Sequence, residues 1–348
     1  MRDVQGEGRA AGWLGGRTLL LLVLMLPGVS GCTLVYRTTG EGLVHYSRTQ
    51  ITPYLMAFDD ADMACRAGET GAPVLAAFDR VQVNISQLSV FTASMSGTCA
   101  EERALQQELR LNRALHRGDH GEAQDARTLQ KRHSAVAARR FLRAWQHTVD
   151  HYGDLQAESC PRLRRDFDQL VFMVGLLSGV QALMHDTVAD LSVGVPRDVP
   201  ALVERAASCL DNARWWGLPD GIRAAIWTIL PMFAPDDADP WQVLEEAIAI
   251  GDSAGVRINS ALYVIAAYSA GEGARIRHAV AEFADRSENL NPDYAILDAM
   301  ANLMVRGVSD RIWSEMVGQR TPFGRLGQFP GQAGSEPLDV EAILDLFD

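Results

Sequence analysis

From residue 58 to residue 318 apolar residues recur three and four positions apart, as in the row Phe141, Trp145, Thr148 and Tyr152, while two-residue alternation of β-branched residues is nearly absent. A period near 3.6 places such residues on one face of a helix, so this pattern restricts the chain to an all-α fold. Helices are predicted near 58–68, 71–83, 85–96, 99–117, 120–152, 160–186, 197–213, 219–233, 239–253, 257–271, 273–287, 291–306 and 308–318. Gly and Pro stand at the joints: Gly118, Gly153, Pro161, Gly194 with Pro196, Gly217 with Pro219, Pro235 with Pro240, and Gly255. Asp239 before Pro240 and Asn291 before Pro292 read as helix caps. Short helices on short turns make antiparallel hairpins, stacked as a TPR-like solenoid or bundle.

Ahead of this region the chain changes character. Residues 1–17 carry three arginines, and Thr18–Leu26 is an uninterrupted apolar run, about half the ~20 residues a spanning helix needs. Pro27 and Gly28 break the run, and Val29-Ser30-Gly31-Cys32 follows. A positive flank, a short apolar segment and small residues make a secretory signal. With Cys32 placed to receive a diacylglycerol, the segment resembles a bacterial lipobox. The predicted organisation is a signal peptide over 1–31, a lipidated tether over 32–53, a helical-repeat domain over 54–318 and a flexible tail over 319–348. Thr33 stands where Asp often signals inner-membrane retention. The expected location is therefore periplasmic, on the inner leaflet of the outer membrane.

Export makes the cysteines informative. Cleavage leaves Cys65, Cys99, Cys160 and Cys209 besides Cys32, an even set that fits two disulfides in an oxidising compartment. Three pairings are possible; Cys65–Cys99 with Cys160–Cys209 closes one helix-turn-helix loop each. No CxxC occurs, which argues against redox catalysis and a thiolate zinc site. The whole chain carries a net charge of −12, and loss of the leader makes it more acidic by one. That balance argues against a nucleic-acid partner.

Motifs for chemistry are missing. There is no GxSxG, HExxH, phosphate-binding GxxxxGK[ST] or dinucleotide GxGxxG, so no enzyme, metal or cofactor is expected. His147 and His151 lie four apart on one helix face, but no third ligand accompanies them. His116 and His120 bracket a Gly-Asp turn.

Three features offer binding surfaces instead. The segment Leu170–Met184 is the most apolar of the mature chain and contains Gly175-x-x-x-Gly179. It reads as a buried central helix pressed against a neighbour, or as the wall of a ligand chamber lined by Phe172, Gly175, Leu176 and Gly179. Trp215, Trp216 and Trp227 sit near helix joints, either closing the core or flanking that chamber's mouth. Arg132, Arg139, Arg140 and Arg143 form a basic stripe on an acidic chain, either a solvated face or a dock for an acidic partner. In the tail, residues 338–348 (LDVEAILDLFD) form a short acidic amphipathic segment fit to enter a groove.

Residues 261–294 place Tyr263 and Ala266–Ala267 on one helix, Gly271 and Gly273 in a turn, Ala279 and Phe283 on the next helix, and Pro292 after it. This resembles a degenerate tetratricopeptide repeat. With the lipobox, residues 58–81, the Ile222–Trp227 helix and Asn291-Pro292-Asp293-Tyr294, the chain resembles the T-component of TRAP transporters. It departs from that family at residues 80–86, in its paired cysteines and in its tail. The resemblance implies an accessory role beside a periplasmic substrate-binding protein, and a homotrimer around an apolar channel. A lipid-anchored interaction scaffold is the function expected from all these features. The alternatives are a carrier of an apolar small molecule and an envelope-assembly factor.

Overall fold

In the computed structural model, residues 34–153, 155, 159–286 and 289–331 are described. The predicted signal peptide, Cys32 and the 338–348 segment lie outside them. The described chain is all helical. Helix α1 covers 34–46 and continues through a π-helical turn, Ser47–Ile51, into Thr52–Met56. Then follow α2 Ala61–Asp79, α3 Ser86–His116, α4 His120–Tyr152, α5 Asp166–Val188, α6 Val199–Ala207, α7 Leu218–Ile229, α8 Pro240–Ser253, α9 Ile258–Ser269, α10 Gly273–Asp285 and α11 Ala295–Val317.

Consecutive helices pack as hairpins, most extensively α3 with α4 and α4 with α5. The packing order α3, α5, α6, α7, α9, α11 then returns to α3. The last helix thus closes on the first long hairpin. Arg311 Nε lies 3.1 Å from Glu108, Asn112 Nδ2 donates to Ser314 Oγ at 2.9 Å, and His116 Nε2 bonds the Glu315 carbonyl at 2.7 Å. One contiguous core runs from Ala100 through Phe141 and Phe172 to Val308. Removing each large apolar side chain from water contributes roughly 1.5–3 kcal/mol.

The predicted caps form: Asp239 accepts from the Trp241 and Gln242 amides, and Asn291 from the Asp293 amide. Pro292 opens a single 3-10 turn, Pro292–Tyr294, ahead of α11. The hairpin read at 261–294 is α9 and α10, with Ala267 and Phe283 buried between neighbours.

Several boundaries differ from expectation. The region assigned to a tether, 32–53, is helical from residue 34. Its Thr, Gly and β-branched residues are poor helix formers, but packing overrides propensity. A Cβ at Gly40 would lie 2.7 Å from Phe78 and Val83, and Val44 joins a small core with Leu75, Val83, Ile85 and Leu88. The breaks expected near 69–70 and 97–98 are continuous helix, as is 307. There glycine marks a helix crossing: a Cβ at Gly68 would stand 2.6–2.9 Å from Met95, Ser96 and Thr92, and one at Gly97 would stand 2.6 Å from the Phe141 ring. The start of the tail is docked: Thr321 N donates to Asp310, Trp313 Nε1 donates to the Gln328 carbonyl, and Phe329 is buried.

Both disulfides form with the spacing-based pairing, Cys65–Cys99 and Cys160–Cys209. They are the bonding expected of an oxidising, extracytoplasmic setting. Cys65–Cys99 staples α2 to α3 one turn from Gly68. Beside it Glu69 receives a bidentate pair from Arg103 at 2.8 Å and a bond from Arg140 at 2.5 Å. The Arg103 bonds, then Arg140, hold the Glu69 carboxyl at about 2, against 4.5 ordinarily, while burial acts in the opposite direction.

A depressed carboxylate stabilises the fold above its unfolded pKa and loses that contribution as pH falls toward the folded value. Glu69→Gln is therefore expected to lower stability at neutral pH by about 1–2 kcal/mol; the full shift corresponds to roughly 3 kcal/mol, discounted for solvent screening. The gap between variant and parent, read from urea midpoints, narrows below about pH 4.5 and closes near pH 2. A gap that does not change with pH would refute this assignment.

Candidate functional site

A group of polar and titratable side chains lies where α1 crosses the α2–α3 turn. A groove of about 360 Å³ is lined by Arg37, Glu41, Val44, His45, Arg48, Gln82, Val83 and Asn84. Helix α1 supplies the first five through one face, and the turn supplies the rest because Gln82 adopts a positive φ of 61°. Arg37 pairs with Glu41 at 2.9 Å. Arg48 lies 5.7 Å from the centroid of Phe167, and its Nε is buried without a hydrogen-bond partner among the described residues. Burial, then the nearby Arg165, lowers the Arg48 pKa.

Behind the groove a hydrogen-bonded network ties α3, α4 and α5 together. Asn84 Oδ1 accepts from the Ser86 amide at 3.3 Å and from its hydroxyl at 2.7 Å. With that proton committed, His151 Nδ1, 2.7 Å from Ser86 Oγ, is the donor of the pair. Burial lowers the His151 pKa. Gln87 Nε2 donates to Tyr152 Oη at 3.0 Å and to Asp168 at 2.9 Å, and Tyr152 donates to the Asp168 carbonyl at 2.7 Å. Burial pushes Tyr152 up to about 12. Burial also works to raise Asp168, but bonds from Arg165 and Gln87 outweigh it and leave the carboxyl below its ordinary value. Chemically the groove presents Arg37, His45, Arg48, Gln82 and Asn84, a donor-rich lining suited to carbonyl or anionic groups. Sequence reading missed it because its residues come from two separate segments without a shared motif.

Of the two readings of the Leu170–Met184 helix, the packing is that of a buried central helix rather than a chamber wall. Phe172, Gly175, Leu176, Gly179, Trp215, Trp216 and Trp227 are all buried. The Gly175 and Gly179 face is occupied by α4: an added Cβ would stand 1.9 Å from Thr148 Oγ1 at one position and 2.7 Å from Trp145 at the other. Trp215 Nε1 donates to Gln169 at 2.6 Å, Trp216 packs edge-on to Trp215 and Tyr294, and Arg223 covers Trp227 at 4.9 Å. Helix α5 has the length and apolarity of a membrane span. Its buried carboxylates are nonetheless fully engaged, with Asp186 accepting from the Val193, Gly194 and Val195 amides at 2.8–3.0 Å.

The arginine stripe divides. Arg140 is turned inward, bonded to Glu69 and to the Ser96 carbonyl, and is not a free docking group. Arg132, Arg139 and Arg143 are exposed and carry no ion pair among the described residues. His116 is engaged with α11, and among the described residues no cluster of three or more His, Cys, Asp or Glu is arranged to hold a metal. No family model, curated protein or solved structure matches the chain.

Proposed function

We propose that the mature chain is a lipid-anchored periplasmic scaffold that binds an acidic envelope protein through one face of α4. The observation that carries this reading is the row Arg132, Arg139 and Arg143, exposed and unpaired among the described residues on a chain of net charge −12. Arg140 on the same helix, by contrast, is spent on an internal pair with Glu69, as Arg257 is with Asp298 and Arg311 with Glu108. Complementary charge at a rim steers encounter and fixes register more than it adds affinity. The signal peptide read over residues 1–31, ahead of Cys32, and the two disulfides support the location. The resemblance to TRAP transporter T-components supports a periplasmic substrate-binding protein as the partner.

The test is affinity capture from envelope extract with the intact lipoprotein and with a variant carrying Arg132→Glu, Arg139→Glu and Arg143→Glu. All three positions are exposed, so the variant is expected to keep its circular dichroism and thermal midpoint. Recovery of the partner should fall at least about tenfold, equivalent to 1.4 kcal/mol. Equal recovery by both proteins would remove this face from the function.

A further inference from the structure

We propose that the first turn of α1 seats directly in the bilayer and fixes the orientation of the whole body on the membrane. The inference rests on the lipid attachment at Cys32 proposed above. The described part of helix α1 begins at residue 34, two positions after that cysteine. Its first six residues are exposed, and Gly40 is the first buried one. The six-residue rise from Leu34 to Gly40 is about 9 Å. Two residues of chain from Cys32 to Leu34 reach at most about 7 Å. The Cys32 backbone that carries the acylated sulfur is therefore held within roughly 16 Å of the point where α1 meets the body. A flexible tether of twenty residues would leave the body free to tumble above the surface; this connection does not.

The exposed turn has the chemistry of an interfacial segment. Leu34, Val35 and Tyr36 are 62%, 61% and 61% exposed and project around the helix end. Apolar side chains with a tyrosine suit the boundary between headgroups and acyl chains, roughly 5–10 Å into the leaflet. Arg37 follows, where headgroup phosphates lie. The far side of α1 is rigidly joined to the fold, since a Cβ at Gly40 would stand 2.7 Å from Phe78 and Val83, and Val44, Ser47 and Thr52 are buried. Acyl chains supply the membrane affinity; the turn supplies direction. It also places the groove lined by Arg37, His45 and Arg48 close to the membrane, and the α3–α4 turn at the opposite end of a 31-residue helix.

The experiment uses the lipidated protein reconstituted in phosphatidylethanolamine–phosphatidylglycerol vesicles. A nitroxide is attached at Val35→Cys or Tyr36→Cys, with Gln124→Cys near the α3–α4 turn as the aqueous reference. The four cysteines beyond Cys32 are paired, so the introduced thiol takes the label. Collisions with oxygen relative to a water-soluble nickel chelate should rise several-fold at 35 and 36 over 124. Labels at 35 and 36 as accessible to nickel as the one at 124 would overturn the proposal. So would labels shielded from both reagents, which would show a protein surface, including a second copy of this chain, covering the turn. Mass analysis of the N-terminal peptide from the same vesicles separates the two readings. An unmodified Cys32 defeats both, whereas an acylated Cys32 with aqueous labels defeats this one alone.

Discussion

Gly175→Ala should lower the unfolding free energy by about 2–3 kcal/mol, although it replaces a poor helix former with the best one. The added Cβ would stand 1.9 Å from Thr148 Oγ1 and 2.7 Å from Thr148 Cβ and Cγ2. Rotating Thr148 does not relieve a contact with its own Cβ, and its hydroxyl is already bonded to the Ala144 carbonyl at 2.9 Å. Helices α4 and α5 must therefore part, along an interface that includes the fully buried Phe141 and Phe172. Adding Thr148→Gly transfers the space from one helix to the other. Each single change is destabilising, and the pair should recover more than about 1 kcal/mol relative to their sum. Urea unfolding with both disulfides intact measures this. A neutral Gly175→Ala would mean that a void lies between α4 and α5, and would restore the chamber reading of this helix.

Removing the Cys65–Cys99 bridge by double alanine substitution should cost about 3–4 kcal/mol, because the closed segment spans a sequence separation of 34. The loss should lower the thermal midpoint by about 5–10 °C for a chain of this size. Both sulfurs are buried, at 6% and 5% exposure, so alanine leaves no unpaired polar atom behind. The bridge acts with the Gly68 crossing and the Glu69 pairs to hold α2 on α3, and α2 in turn supports α1. Loss of the bridge should therefore loosen the N-terminal helices before the α4–α5 core, visible as faster amide exchange in 34–79. Uniform loss of protection along the chain would contradict this hierarchy.

The fold class was legible because period and punctuation agree over long stretches. The predicted 120–152 helix is α4 in both boundaries, and Asp239-Pro240 starts α8 where the cap requires. The cysteine pairing followed from spacing once export was inferred. Glycine was the main source of error. One predicted helix ended at Gly68, and Gly97 and Gly307 fell between predicted helices, yet each is an interior position where another helix approaches. A sequence shows the absence of a side chain but not whether backbone freedom or close approach requires it. Helix α1 was hidden for the complementary reason, since its local preferences oppose the helix and distant contacts, with Phe78, Val83 and the small core around Val44, favour it.

Site residues were less legible than helices. The apolar segment Leu170–Met184 was correctly placed at the centre, but composition does not distinguish a filled interface from a lined cavity. The Thr148 and Trp145 side chains that fill it lie more than twenty residues away in sequence. Among the arginines, only the position of Glu69 on another helix separates Arg140 from its exposed neighbours. Asp186 gave no signal at all: its three amide donors come from a loop whose shape depends on positive φ at Asp190 and Leu191.

The most direct test of the account is the mass of the N-terminal peptide of the protein isolated from a Gram-negative envelope. Cleavage before Cys32, with diacylglycerol on its sulfur, is the predicted result. A chain that retains residues 1–31, or begins elsewhere with an unmodified Cys32, would contradict it.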